Sequence, residues 1–156
     1  MKKFPTKKLN KYFSEWLLAN GFDCRAEMGE DFYYINGDDF ISYAFVVPEE
    51  HDLVFFEICN RICPEIEKCD NFILSFFHEL GHHETKDFFS RAEWLEYMDF
   101  ANSNPNFFDY YTHPIELTAT EWACNFIVDN VELVKDFMNG YIKIIEKWVN
   151  GKIELY

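Results

Sequence analysis

Apolar residues recur at helical spacing at Leu9, Phe13, Trp16 and Leu17, between Pro5-Thr6 and Asn20-Gly21. The pattern predicts an amphipathic, basic first helix over residues 6–20, with Asn20-Gly21 as its C-terminal stop. The period then changes. In FYYINGDDFISYAFVV, residues 32–47, aromatic and β-branched residues flank Asn36-Gly37 as in a β-hairpin, and Pro48 closes the second strand. LVFFEI, residues 53–58, reads as a third strand, so a small antiparallel sheet is expected over about 31–58.

Helical patterning returns after Asp70, a residue suited to an N-cap. Phe72, Ile73, Leu74, Phe76, Phe77 and Leu80 surround the axis instead of forming a stripe, so the helix over about 70–85 should be buried on most sides. Residues 88–101 read as another helix. NSNPNFFDYYTHP, residues 102–114, has the polar and proline content of a loop and also carries Phe107, Phe108, Tyr110 and Tyr111. Pro114 suits the first turn of a helix over about 114–128. C-terminal helices over about 130–150 are expected to be punctuated by Asn139-Gly140 and Asn150-Gly151. The expected class is α+β: one domain over 1–156, with about three antiparallel strands packed on a helical bundle.

Composition sharpens this picture. Eighteen phenylalanines and an aromatic share of 20% make disorder a poor reading and predict an interior dominated by ring packing. A formal charge of -14 argues against direct binding to nucleic acid or to an anionic membrane surface. Lys2, Lys3, Lys7, Lys8 and Lys11 stand against that trend and read as a solvated helix start. The lysines are not followed by the apolar core of a signal peptide, and no stretch approaches the roughly 18 apolar residues of a membrane span. With five cysteines, an odd number lying mostly in apolar segments, the expectation is a cytoplasmic protein with buried free thiols.

The chemistry concentrates in FFHELGHHETKD, residues 76–87. HELGH fits HExxH, a spacing with a physical purpose. On a helix His78 and His82 are one turn apart on one face and can share a metal ion. Glu79 projects about 100° away, where a carboxylate can act as general base towards a water on that metal without occupying it. Gly81 allows another backbone to come close. Two imidazoles leave a tetrahedral zinc short of protein ligands, so a third must come from elsewhere. Glu121, within EWACNFIV and one turn before Asn125, is the expected ligand, with Asn125 able to orient it or to bond the active-site helix. Glu116 is the competitor, but an acid in the first helical turn is already favoured by the helix dipole. Two imidazoles and a carboxylate favour Zn2+ over other divalent ions.

At this point the residues resemble a family. HELGHH followed by EWACNFIV is similar to the HELGH and ExEANxFA pair of the ImmA/IrrE metallopeptidase-like proteins, with Glu121, Cys124, Asn125, Ile127 and Val128 at the positions of the second motif. Ala123 stands where the second acid is usual. The resemblance spans roughly residues 30–130 and implies His78, His82 and Glu121 as metal ligands and Glu79 as catalytic base in a gluzincin-like α+β domain. Members of that family commonly come from bacteria, phages and mobile elements, and several cleave or inactivate a repressor. The usual apolar run ending in proline is replaced here by DNVELVKDF, and an appended DNA-binding domain is not expected.

The function expected from these residues is zinc-dependent cleavage of a protein partner, a repressor or regulator, with Tyr110, Tyr111 and His113 as candidate donors to the developing oxyanion. His83 is expected outside the ligand set, because it points about 100° from His82. The acidic composition suits a basic partner. The competing reading is a binding or regulatory protein that keeps the metallopeptidase fold and sequesters a host or phage partner without turnover.

Overall fold

The computed structural model describes residues 4–28, 40–43, 49–64 and 71–151. The described elements are α1 (Thr6–Ala19), β1 (Arg25–Met28), β2 (Phe40–Tyr43), α2 (Glu49–Ile62), α3 (Asn71–Thr85), α4 (Arg91–Asn102), α5 (Phe107–Thr112), α6 (Pro114–Asp129) and α7 (Val131–Val149), with a short 3-10 turn at Lys86–Phe88 between α3 and α4.

The architecture is helical, which corrects the expected α+β class with three antiparallel strands. Among the described residues the sheet is two four-residue strands, β1 and β2, paired in parallel with Arg25 opposite Phe40 and Met28 opposite Tyr43. LVFFEI lies within α2 and is not a strand. A short apolar run cannot announce its period. Phe55, Ile58 and Cys59 are buried while Glu57 is exposed, the three- and four-residue spacing of a helix face. The Asn36-Gly37 turn, Pro48, Asp70 and Cys69 lie outside the described residues.

The free side of β1 is closed by α1. Ser14 Oγ accepts from Ala26 N at 3.0 Å and donates to Ala26 O at 3.3 Å, and Asn10 Oδ1 accepts from Met28 N at 3.1 Å. A short strand whose backbone groups are met by a neighbouring helix needs no further strand beside it.

The core is aromatic. Phe13, on the buried face of α1 with Leu9 and Leu17, packs 5.0 Å from Phe76 and 5.3 Å from Phe137 between ring centroids. Phe137 in turn lies 4.7 Å from Trp16 and 4.8 Å from Phe76, so α1, α3 and α7 meet on one cluster of rings. α7 runs unbroken through Asn139-Gly140, which corrects the expected break there. A β-carbon on Gly140 would collide with the Tyr12 hydroxyl and ring, so this glycine makes room for a neighbour and ends nothing. The helix does stop at Asn150-Gly151, where Gly151 takes φ 70°.

Residues 102–114 are not a plain loop. Asn106 Oδ1 accepts from Asp109 N at 2.8 Å and caps the short α5, which presents Tyr110 and Tyr111 inward. α4 opens with a reciprocal capping box between Ser90 and Glu93. These two short helices complete the surroundings of the HELGH segment. Among the described residues no helix is long and apolar enough to cross a membrane.

Candidate metal centre

α3 and α6 pack more extensively than any other pair of described elements, and Gly81 is the reason they can. Its position faces the backbone of Ala119. A β-carbon there would meet the Ala119 carbonyl oxygen and lie 3.1 Å from the carbonyl carbon. The expected close backbone is therefore α6, and it arrives between His78 and His82.

The contact places Glu116 opposite both histidines. Its Oε1 is 2.9 Å from His78 Nε2 and its Oε2 is 3.0 Å from His82 Nε2. His78, His82 and Glu116 are all buried, at 4%, 2% and 2% exposure, so three groups that normally face water share one interior point. One ligand atom from each lies within 4.8 Å of the others. Bonds of about 2.0–2.2 Å to zinc would separate tetrahedral ligand atoms by roughly 3.3–3.6 Å, a few tenths of an ångström beyond the present contacts. The donor set of two imidazole nitrogens and a carboxylate oxygen fits a divalent metal ion.

Glu121 is not part of this group, which corrects the expected third ligand. It is exposed on α6, as is Asn125. The reason is angular: Glu121 follows Glu116 by five residues and so sits about 140° further round the axis. The buried face of α6 runs through Ile115, Glu116, Ala119, Thr120, Ala123, Cys124 and Ile127. Asn125, expected to orient the ligand or to bond the active-site helix, does neither from its exposed position, and the residue one turn after Glu116 that reaches α3 is Thr120. Its Oγ1 is 2.9 Å from His78 Nδ1 and 3.0 Å from the Glu116 carbonyl oxygen.

Compared with family models, with curated proteins and with solved structures, the chain gives no match. The second half of the resemblance stated above rests on Glu121, which is exposed, so HELGH alone remains of it at the site.

Tyr97 on α4 is the group that sequence reasoning passed over. Its hydroxyl donates to Glu116 Oε2 and lies 3.0 Å from the Tyr110 hydroxyl. No motif marks it. Its sequence signal is only that it continues the face of Trp94, with which it is buried. The named oxyanion candidates have other placements. Tyr111 packs on Phe55 at 5.1 Å and on His78 at 6.1 Å, and His113 Nδ1 accepts from Ile115 N at 3.2 Å, capping α6. Tyr110 joins the polar cluster through the Tyr97 hydroxyl.

The electrostatics divide the two acids. Burial alone would push the Glu116 carboxyl up, but the charge of His82 and hydrogen bonds from both imidazoles hold it well below the usual carboxylate range. Glu79 moves the other way. Burial and then the negative charge of Glu116 push its carboxyl well above that range. The Tyr97 and Tyr110 phenols are both pushed up, first by burial and then by Glu116. Glu116 is thus the fixed anion of the site, while Glu79 is a carboxyl with raised proton affinity beside it.

His83 is buried and outside the triad. Its Nε2 is 2.9 Å from Asp23 Oδ1 in the segment between α1 and β1. Cys24, Cys59 and Cys124 are buried thiols and Cys63 a half-buried one, and Cys59 and Cys124 are hydrogen-bonded to each other.

Proposed function

We propose that the chain is a zinc-dependent hydrolase of metallopeptidase type that uses His78, His82 and Glu116 as ligands and Glu79 as general base. The observation that carries the proposal is the convergence of three buried ligating groups from α3 and α6, with Glu79, the acid of HELGH, beside them. Zinc in such a set supplies an acidified water and a Lewis acid for a carbonyl oxygen.

The chain's own residues would do the rest. Glu79, with its raised proton affinity, accepts a proton from the attacking water and returns it to the leaving amine. Glu116 stays ionised beside the two imidazoles and holds the ligand face together. Tyr110, influenced by both carboxylates, stands at the edge of this cluster. A protein partner is the proposed substrate class, with basic surface favoured by the chain's net charge of -14. Likeness to ImmA/IrrE-type proteins belongs to the same proposal and is supported by the HELGH segment.

The test is cleavage of a mixed peptide library, followed by mass spectrometry, with the zinc content of each sample measured in parallel. Wild-type protein is expected to cut, and Glu79→Gln to retain zinc but lose cutting by at least a hundredfold. Equal cutting by Glu79→Gln would overturn the assignment of the base. Zinc binding without cutting in the wild type would replace the hydrolase reading with that of a binding protein.

A further inference from the structure

Two hydroxyl groups touch the candidate ligands from outside the ligand set. Thr120 reaches His78 on the nitrogen away from Glu116, and Tyr97 reaches the carboxylate of Glu116 itself. We infer that Thr120 and Tyr97 are positioning residues of the metal centre, Thr120 selecting the ring form of His78 and Tyr97 fixing the rotation of the Glu116 carboxylate. This inference rests on the metal-site reading above.

Counting protons supports the role of Thr120. A threonine hydroxyl has one proton and two lone pairs, and a backbone carbonyl only accepts. With Thr120 Oγ1 3.0 Å from the Glu116 carbonyl and 2.9 Å from His78 Nδ1, both contacts are used together only if Thr120 donates to the carbonyl and accepts from Nδ1–H. His78 therefore carries a proton on Nδ1 in either state: without a metal its Nε2–H donates to Glu116, and with Nε2 deprotonated its lone pair faces the point shared with Glu116 and His82, where a metal would bind. Thr120 is fully buried, so water does not substitute for it.

The same count fixes the order of donation on the other side. An ionised carboxylate only accepts, so the Tyr97 proton goes to Glu116 Oε2. The Tyr97 oxygen is left to accept from Tyr110 at 3.0 Å, giving a chain of donation from Tyr110 to Tyr97 to Glu116. Glu116 Oε2 is also the oxygen nearest His82, while Oε1 faces His78. A donor on one oxygen holds the carboxylate in the rotation that serves both histidines. Four helices take part: α3 and α6 bring the ligands, and α4 and α5 bring the tyrosines.

The experiment is competition for Zn2+ between a chromophoric chelator and the full chain, in wild type, Tyr97→Phe, Tyr110→Phe, Thr120→Val, Thr120→Ser and Glu116→Ala. Co2+ absorption spectra are recorded on the same proteins. Loss of an outer hydrogen bond typically weakens a metal site about 10–100-fold. Tyr97→Phe and Thr120→Val are expected to fall in that range and to change the Co2+ bands. Thr120→Ser should recover most of the affinity, and Tyr110→Phe, which removes the donor to Tyr97, should lose less than Tyr97→Phe. Thermal unfolding of each metal-free variant separates a folding defect from a binding defect. Wild-type affinity and unchanged Co2+ bands in Tyr97→Phe and Thr120→Val, with Glu116→Ala still losing the metal, would overturn this inference and leave the metal site standing. A wild-type protein that binds neither ion would overturn the metal-site reading and this inference with it.

Discussion

Gly81 of α3 lies directly against the backbone of Ala119 in α6, so close that the pair admits no β-carbon between them. The same approach sets the span across which His78 and His82 meet Glu116. Gly81→Ala should therefore weaken two properties at once. Overpacking against backbone costs about 1–3 kcal/mol, more than the roughly 1 kcal/mol that alanine gains as a helix former. Urea unfolding is expected to show the net loss, and zinc titration a weaker site. A variant with wild-type stability and affinity would show that α3 and α6 have slack at this contact.

Glu116 and Glu121 should behave as opposites. Glu116→Gln removes the anion between two buried imidazoles and is expected to lower zinc affinity by at least a hundredfold. Glu121→Gln changes an exposed side chain, so its stability should stay within about 0.5 kcal/mol of wild type and its zinc content should not change. Atomic absorption on dialysed protein decides between them, and loss of zinc in Glu121→Gln alone would reverse the assignment.

The aromatic junction of α1, α3 and α7 should dominate stability. Phe13 is fully buried and its ring touches those of Phe72, Phe76, Phe137 and Tyr141. Phe13→Ala is expected to cost about 3–5 kcal/mol in denaturant unfolding. Replacement by leucine should recover a large part of that, because the site asks for apolar volume before ring geometry.

An alkaline loss of stability is expected from Tyr12. Its hydroxyl donates to the Phe137 carbonyl at 2.7 Å, and burial, with Asp136 adding to it, pushes the phenol up to about 12. The unfolded chain releases this proton near pH 10, so between about pH 10 and 12 the folded state holds more protons than the unfolded one. The contribution is thus complete below pH 10 and is lost as pH rises through 12. With half the side chain meeting solvent it amounts to about 1 kcal/mol. Urea midpoints of wild type and Tyr12→Phe from pH 9 to 12 should converge, and a constant gap would refute the account.

Gly140→Ala bears on the same tyrosine. The added methyl would run into the Tyr12 hydroxyl and ring, so the variant should be less stable than wild type even though alanine suits the middle of α7 better. Thermal unfolding reads the sign directly. An increase in Tm would show that Tyr12 swings aside at little cost.

The local periodicities of the chain were enough for much of the outline. Leu9, Phe13 and Leu17 form the buried face of α1, and the i, i+4 spacing of His78 and His82 put both rings on one side of α3. Pro114 stands at the start of α6, where its lack of an N–H costs nothing. Short apolar runs were the weak point. LVFFEI carries strand-forming residue types but is too brief to distinguish a two-residue period from a helical one, and its burial against α5 and α6 decided for the helix.

What the sequence by itself determined is the set of local rules: where helices begin, which side chains share a face, and that two histidines and an acid within five residues suit a metal. The choice between Glu116 and Glu121 was of another kind. Both are acids on one helix, and local preference offers a complete explanation for Glu116 as a first-turn residue. Only the tertiary structure, through the Gly81–Ala119 contact and the 140° between the two acids, decided which one turns inward. Tyr97 and Thr120 come from the same level: a hydroxyl has no signature until packing buries it beside a ligand.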